Sequence, residues 1–371
     1  MSVLGESCAR HGWLQTIALT LAGCMACAPA TAQEKKDPLI IKGSIAGVGQ
    51  VLSDSSMATM GDGMGGGTGD PDAEPSEELQ GDSFVYTAEV ILKKTWSNSF
   101  VFVHMRGSEG LPAYSFDNAN SNDVPLGMAE ANVELAAAIY GLTLFDSLTL
   151  FAGKIDPSAF FDGNAVANDS SRQFLAYPFV SNPAIRFPFH EPGFMVSLAP
   201  GDVFYAQVGI FEDRDAEVPG EIANKFAIGE IGFHYAPFEE DGNFRMMAWD
   251  SDYYGQGGFA ISIDQNFNET FSAFTRLGFM RDALDRDTET AFSIGGRFNF
   301  GDQHHIGLGY SVQTPADATW DAMSWFEGYV SFNVDQDVFL TLDLQMVSNP
   351  DFDSTLDALW IPGFRIFAAF Q

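Results

Sequence analysis

From about residue 83 onward the chain repeats one pattern: segments of roughly ten residues in which apolar side chains alternate with polar or small ones. Turns rich in Gly, Asp, Asn and Pro separate them. Period-two alternation is the mark of a β-strand with two unlike faces. In Val338–Val347, Val338, Leu340, Leu342, Leu344 and Met346 share one face, and Thr341, Asp343 and Gln345 the other. Trp325–Val334 sets Phe326, Val330, Phe332 and Val334 against Trp325, Glu327, Tyr329, Ser331 and Asn333. Thr288–Phe300 and Ser83–Lys93 divide in the same way, with Phe292, Ile294, Phe298 and Phe300 opposite Glu289, Ser293, Arg297 and Asn299, and Phe84, Tyr86, Ala88, Val90 and Leu92 opposite Thr87, Glu89 and Lys93.

Sixteen such segments are expected, near 39–50, 83–93, 97–107, 132–143, 146–155, 193–199, 203–212, 225–236, 243–250, 257–266, 269–281, 288–300, 304–313, 323–334, 337–347 and 360–371. Short links such as 94–98, 265–269 and 335–337 join some of them, whereas 51–82, 108–131, 156–192 and 348–359 are long. Short turns at one end and long loops at the other describe an up-and-down barrel. A soluble sandwich or β-helix would also alternate, but its outer faces need abundant Lys, and the whole chain has only 18 Lys plus Arg. In the best strands one face is nearly free of charge and rich in Phe, Leu, Ile and Val. Backbone amides in lipid must all be bonded, so strands cross a bilayer only when the sheet closes. The expected fold is all-β: one transmembrane antiparallel barrel over 33–371, ending in a strand where Phe364, Ile366, Ala368 and Phe370 share a face.

Composition narrows the function. A net charge of −32 argues against nucleic acid as a partner, because phosphate binding needs a basic face. Aromatic residues at 13% exclude a disordered acidic chain. The apolar run from Trp13 to Ala28, followed by Ala30-Thr31-Ala32, reads as an export signal over 1–32. Leu21-Ala22-Gly23-Cys24 also fits lipoprotein processing, with Cys24 as the lipidated residue. All three cysteines (Cys8, Cys24 and Cys27) fall in this segment, so cleavage after Ala32 leaves no disulfide or thiolate chemistry. Gly61, Gly63 and Gly66 satisfy a G-x-G-x-x-G string, but no βαβ unit surrounds them, and the 53–82 stretch reads as a flexible acidic Gly/Met-rich loop. His304-His305 and His190-Glu191 lack metal-site spacing, and no serine sits in a G-x-S-x-G elbow. The reading is therefore a non-enzyme without metal or cofactor.

The 156–192 connection is rich in aromatics and amides, and folding into the lumen would bury its Phe residues and narrow the pore. It contains Gly153-Lys154-Ile155-Asp156, Phe161-Asp162-Gly163-Asn164-Ala165-Val166-Ala167-Asn168-Asp169, Gln173-Phe174-Leu175 and Phe179-Val180-Ser181-Asn182-Pro183-Ala184. This succession resembles the OprB-type carbohydrate-selective porins of bacterial outer membranes, which usually show G-[RK]-x-D, F-D-x-N-x-x-A-N-D, Q-F-L and F-x-x-N-P-A at that place. Gly163 stands where the family often has Thr, and Val166 where an aromatic is common. The 53–82 stretch has no counterpart associated with the family.

The resemblance implies passive diffusion of small sugars across the outer membrane. It implies outer-membrane lipid, lipopolysaccharide and the barrel-assembly machinery as partners, and leaves monomer or homotrimer open. Asp162, Asn164, Asn168, Asp169 and Arg186 are carried over as constriction residues. Strand parity adds a charged lumen face of Arg106, Glu134, Glu230, Arg245, Trp249, Asp264, Arg276, Arg297, Trp325, Glu327, Asp343 and Arg365. Two rival readings stand beside it. A charge of −32 would suit a general or cation-preferring porin, and a barrel with acidic loops could serve as an adhesin or anchor.

Overall fold

A computed structural model of the chain describes residues 39–52, 82–110, 132–213, 224–237, 240–301 and 303–370. The expected export signal, Cys24 and nearly all of the 51–82 stretch lie outside the described residues. Sixteen antiparallel strands close into one barrel: β1 Leu39–Val51, β2 Asp82–Thr95, β3 Ser99–Glu109, β4 Asn132–Leu144, β5 Leu148–Ile155, β6 Glu191–Leu198, β7 Phe204–Glu212 and β8 Lys225–Tyr235, then β9 Gly242–Ser251, β10 Gln256–Asn266, β11 Phe271–Arg281, β12 Thr288–Phe300, β13 His304–Pro315, β14 Met323–Asp335, β15 Val338–Ser348 and β16 Leu359–Phe370. Each strand pairs with its sequence neighbours, and β1 closes on β16 from Gly43↔Phe370 to Gln50↔Gly363. Every segment expected from the alternation is a strand, displaced by a few residues at some ends.

The alternation sorts side chains as it must on a pleated sheet. Phe292, Ile294, Leu342, Phe364, Ile366 and Phe370 are exposed on the outer wall. Facing inward on the same strands, Ser293, Thr341 and Arg365 are buried. Serines form a polar course along the inner wall, with Ser293 Oγ 3.0 Å from Ser311 Oγ and Ser331 Oγ 3.0 Å from Thr341 Oγ1. The register shifts at Thr288/Thr290, at Asn333/Asp335 and in mid-strand on β4, where His104 pairs with Ala137 but Met105 with Leu135, leaving Ala136 as an extra, bulged residue. Outward Tyr140 below the bulge and Leu135 above it therefore differ in parity, so alternation alone misplaces one end of β4.

The two large apolar clusters are inside the barrel. A barrel of sixteen strands is too wide for its own wall side chains to fill. The filling comes from the β5–β6 connection, whose Phe161, Val166, Phe174, Phe179 and Ile185 are fully buried. Two residues before β5 ends and the connection begins, Gly153 has φ +142°, and a Cβ there would run into the Ala138 carbonyl oxygen. Only glycine tolerates both conditions. Gly153→Ala is expected to destabilise the barrel by about 1–3 kcal/mol, seen as an earlier midpoint in urea unfolding from lipid. An unchanged midpoint would show that the β4–β5 pair relaxes around the methyl group.

Candidate functional site: the loop docked inside the barrel

The connection folds back into the lumen and lies along the inner wall of β7 to β16. Its first residues are locked by a turn in which Asp162 adopts φ +58°, a left-handed conformation that Asp tolerates better than most residues. Asp162 is buried, and its carboxylate accepts from the Asn182 backbone N–H at 2.8 Å and from Arg276 Nε at 3.1 Å. Burial pushes the Asp162 pKa up, while the Arg276 guanidinium and the Asn182 amide pull against it. Arg276, 1% exposed on β11, also donates to the carbonyls of Asp162 (3.0 Å), Phe179 and Val180 (3.4 Å) and to Asn168 Oδ1 (3.0 Å). One wall side chain thus holds both passes of the loop.

A second anchor lies on β14. Glu327, wholly buried, accepts the backbone N–H groups of Leu175 at 2.6 Å and Ala176 at 2.7 Å. These precede the single helical turn Tyr177–Val180, and a carboxylate beside the free amides of a helix start is favourable. Glu230 on β8 accepts Asp162 N–H at 3.0 Å, together with Tyr205 Oη–H at 2.7 Å and Gln207 Nε2–H at 3.1 Å. Arg365 on β16 donates to the carbonyls of Gln173 (2.8 Å) and Ser170. Ser293 Oγ donates to Pro178 O at 2.6 Å. Gly309 leaves room for the apolar side of the loop, since a Cβ there would stand 2.9 Å from ring atoms of both Phe174 and Phe179.

The residues carried over from the motif mostly fold the loop itself. Asn164 Oδ1 accepts from Val166 N (3.0 Å) and Ala167 N (3.2 Å), and its Nδ2 donates to Ser262 Oγ at 3.2 Å. Gln173 Oε1 accepts Asn168 N (2.7 Å) and Asp169 N (3.1 Å), closing the tip. Asn182, part of the F-x-x-N-P-A succession, ties its own turn to Leu277 O at 2.9 Å. Asp162 and Asn164 are therefore buried on the docked side, while Asn168 and Asp169 are half-buried. Arg186 ion-pairs with Asp287 and stacks on Tyr254, fastening the return pass to the β11–β12 loop. At the neck, His190 Nε2 lies 3.4 Å from Asp156 Oδ2. Burial works against ionisation of Asp156, but His190 and then Ser158 outweigh it and lower its pKa.

Much of the charged lumen face expected from strand parity is covered by the docked loop. Glu230, Arg276, Glu327 and Arg365 point inward as expected, yet they bond to the loop. Arg245 pairs with Asp264 at 2.6 Å, and both are buried. Trp249 and Trp325 belong to the apolar clusters under the loop, and Asp343, also buried, bonds to Gln345 at 2.9 Å. Parity identifies the inward face but not what covers it. Arg106, Glu134 and Arg297 are the half-buried members of that set. Opposite the loop, Arg106 and His104 each lie 3.3 Å from Glu89, which also accepts Ser44 Oγ–H at 3.1 Å. Glu89 and His104 were absent from the expected site, although Glu89 stood on the polar face of its strand. Gln207, Ser262 and Ser293 carried no sequence signal beyond inward parity. Among the described residues no group of three or more His, Cys, Asp or Glu is placed to hold a metal.

No family model matches the chain. A stretch of 136 residues is 29% identical to an uncharacterized protein of Aquifex aeolicus (strain VF5), covering 35% of this chain and 43% of that protein, so the match spans less than half of the relative's length. Among solved structures, OprB of Pseudomonas putida at high pH superposes with a TM-score of 0.69 at 12% identity, over 90% of this chain and 94% of that one. A triple mutant of the Rhodopseudomonas blastica porin gives a TM-score of 0.55 at 12% identity, over 90% and 100%. The outer membrane channel DcaP of Acinetobacter baumannii gives 0.54 at 9% identity, over 92% and 100%. The chain has the sixteen-stranded barrel fold of the porins.

Proposed function

We propose that the protein is an outer-membrane channel for passive diffusion of small sugars. The observation that supports this most is the loop docked within the closed barrel. It fills one side of the lumen with a packed apolar core and presents Asn168, Asp169, Ser170, Ser171 and Arg172 as half-buried polar residues. Across from it stand Ser44, Glu89, His104 and Arg106 on β1 to β3. Sugars offer hydroxyl groups that both donate and accept, and this set mixes amide, hydroxyl, carboxylate and guanidinium groups. Partners of this kind hold a solute weakly enough to release it, as conduction requires. The succession that resembles OprB-type porins lies in this same loop, and its side chains help to fold and seat it. The sugar preference, outer-membrane placement, lipopolysaccharide contacts and assembly as monomer or homotrimer belong to this proposal.

A second reading rests on the charge of −32, which would draw cations into a non-selective pore. Planar-bilayer recordings distinguish the two. A sugar channel is expected to show ion current reduced by glucose or maltose with half-block in roughly the millimolar range, and Arg186→Ala to weaken that block by loosening the return pass. Cation-biased current indifferent to sugar would favour the second reading. No current at all would reject transport and leave an anchoring role.

A further inference from the structure

Near the tip of the docked loop one arginine stands apart. Among the described residues six arginines ion-pair with Asp or Glu, Arg365 donates to loop carbonyls, and Arg172 lies over the Phe339 ring. Arg297 on β12 does none of these, and its Nε is buried with no hydrogen-bond partner.

Strand register places Tyr329 beside it. Gly307 of β13 pairs with Arg297 on one side and Tyr329 on the other. With no side chain at 307, the Tyr329 ring crosses that position, and its Oη stands 2.8 Å from where a Cβ on Gly307 would be. This hydroxyl is buried, has no hydrogen-bond partner, and lies within electrostatic reach of Arg297, Arg365, Glu327 and Asp169. Arg365 leaves its own Nε unpartnered as well. Arg172 is adjacent, its backbone carbonyl 3.0 Å from Nε2 of His305, whose ring packs edge-on to Tyr329. Of the nearby carboxylates, Glu327 accepts two loop amides, Asp169 accepts the Ser171 N–H at 2.9 Å, and Asp343, paired with Tyr329 in the sheet, accepts from Gln345 at Oδ1 and leaves Oδ2 unpartnered.

We infer that Arg297 and Tyr329, with Arg365 behind them, form an anion site whose ligand is the carboxylate of an acidic monosaccharide crossing the lumen. This inference rests on the sugar-channel reading. The unpartnered groups of Arg297, Tyr329 and Arg365 are N–H and O–H donors, and a carboxylate supplies only acceptors, whereas a neutral sugar hydroxyl would also need an acceptor in return. Charge-assisted bonds of this kind are the stronger ones. Arg297 is half-buried, and Tyr329 lies deeper.

The test uses the full-length protein in planar bilayers, with glucose and glucuronate added in turn. Glucuronate is expected to block wild-type current at about tenfold lower concentration than glucose. Arg297→Gln should remove that advantage, and Tyr329→Phe should weaken it about threefold, with glucose block unchanged in both. Arg297 makes no bond whose loss could unfold the barrel, and heat-modifiable gel mobility verifies that each variant is folded. Equal block by the two sugars in the wild type, or parallel loss of both in Arg297→Gln, overturns the anion site and leaves the sugar channel standing. Absence of block by either sugar removes the channel reading and the site together. Crystals grown in bromide separate a bathing halide from a solute: an anomalous peak between Arg297 and Tyr329, with glucuronate block indifferent to Arg297→Gln, assigns the position to the halide and overturns the solute assignment.

Discussion

Replacing Arg276 with leucine is expected to convert a quiet, narrowed channel into a wide and noisy one. Leucine keeps an inward apolar side chain but removes every donor that holds both passes of the loop, and it leaves the buried Asp162 carboxylate without its cation. Breaking one partner of a buried pair costs about 3–5 kcal/mol, which lowers the docking equilibrium by roughly two to three and a half orders of magnitude at 1.4 kcal/mol per factor of ten. The strands need no such help, since their ladder bonds are intact around the whole circumference. Single-channel conductance should therefore rise by about twofold or more, sugar block should disappear, and a protease should cut between Asp156 and His190. Folded-barrel mobility on a gel should persist. Wild-type conductance with wild-type block would show that the apolar packing of Phe161, Phe174 and Phe179 suffices to seat the loop.

Glu327→Gln should act at the other anchor and differ in character. The amide is nearly the same shape, but it offers one acceptor where the carboxylate offers two, and it turns an NH2 group toward a backbone N–H. A buried donor left facing a donor costs about 1–3 kcal/mol, less than the loss of Arg276. The expected result is flicker between two conductance levels, with the narrow level still populated. Because both anchors hold the same loop, their effects should not add. The double variant should resemble Arg276→Leu alone, and a strictly additive result would mean that the two halves of the loop dock independently.

Much of the architecture is legible from residue order because it depends on local backbone geometry. Alternation along Val338–Val347 or Thr288–Phe300 assigns each side chain to a face without reference to any other strand. The strand spacing then makes a closed sheet the only membrane-compatible result. The same logic fails at Ala136, where one extra residue shifts the parity of β4 and no hydrophobic pattern marks the bulge. The loop motif is equally visible, but its meaning changes in three dimensions. Asp162 and Asn164 are carried over as constriction residues, yet in the structure they and the motif's Gln173 and Asn182 satisfy the backbone of a loop that would otherwise carry unpaired amides into an apolar core.

What order alone determined was the sheet: which residues form strands, which face is oily, and which connection is long and aromatic enough to fold inward. What the tertiary structure decided was the fate of each inward charge. Glu327 and Leu175 lie 152 positions apart, and Arg276 and Asp162 114 apart. Whether such a side chain meets water or a loop amide depends on where the loop lands across the barrel. That landing is set by the shape left between distant strands, by the glycine at 309 that makes room and the phenylalanines that fill it. A two-residue repeat carries no record of such contacts.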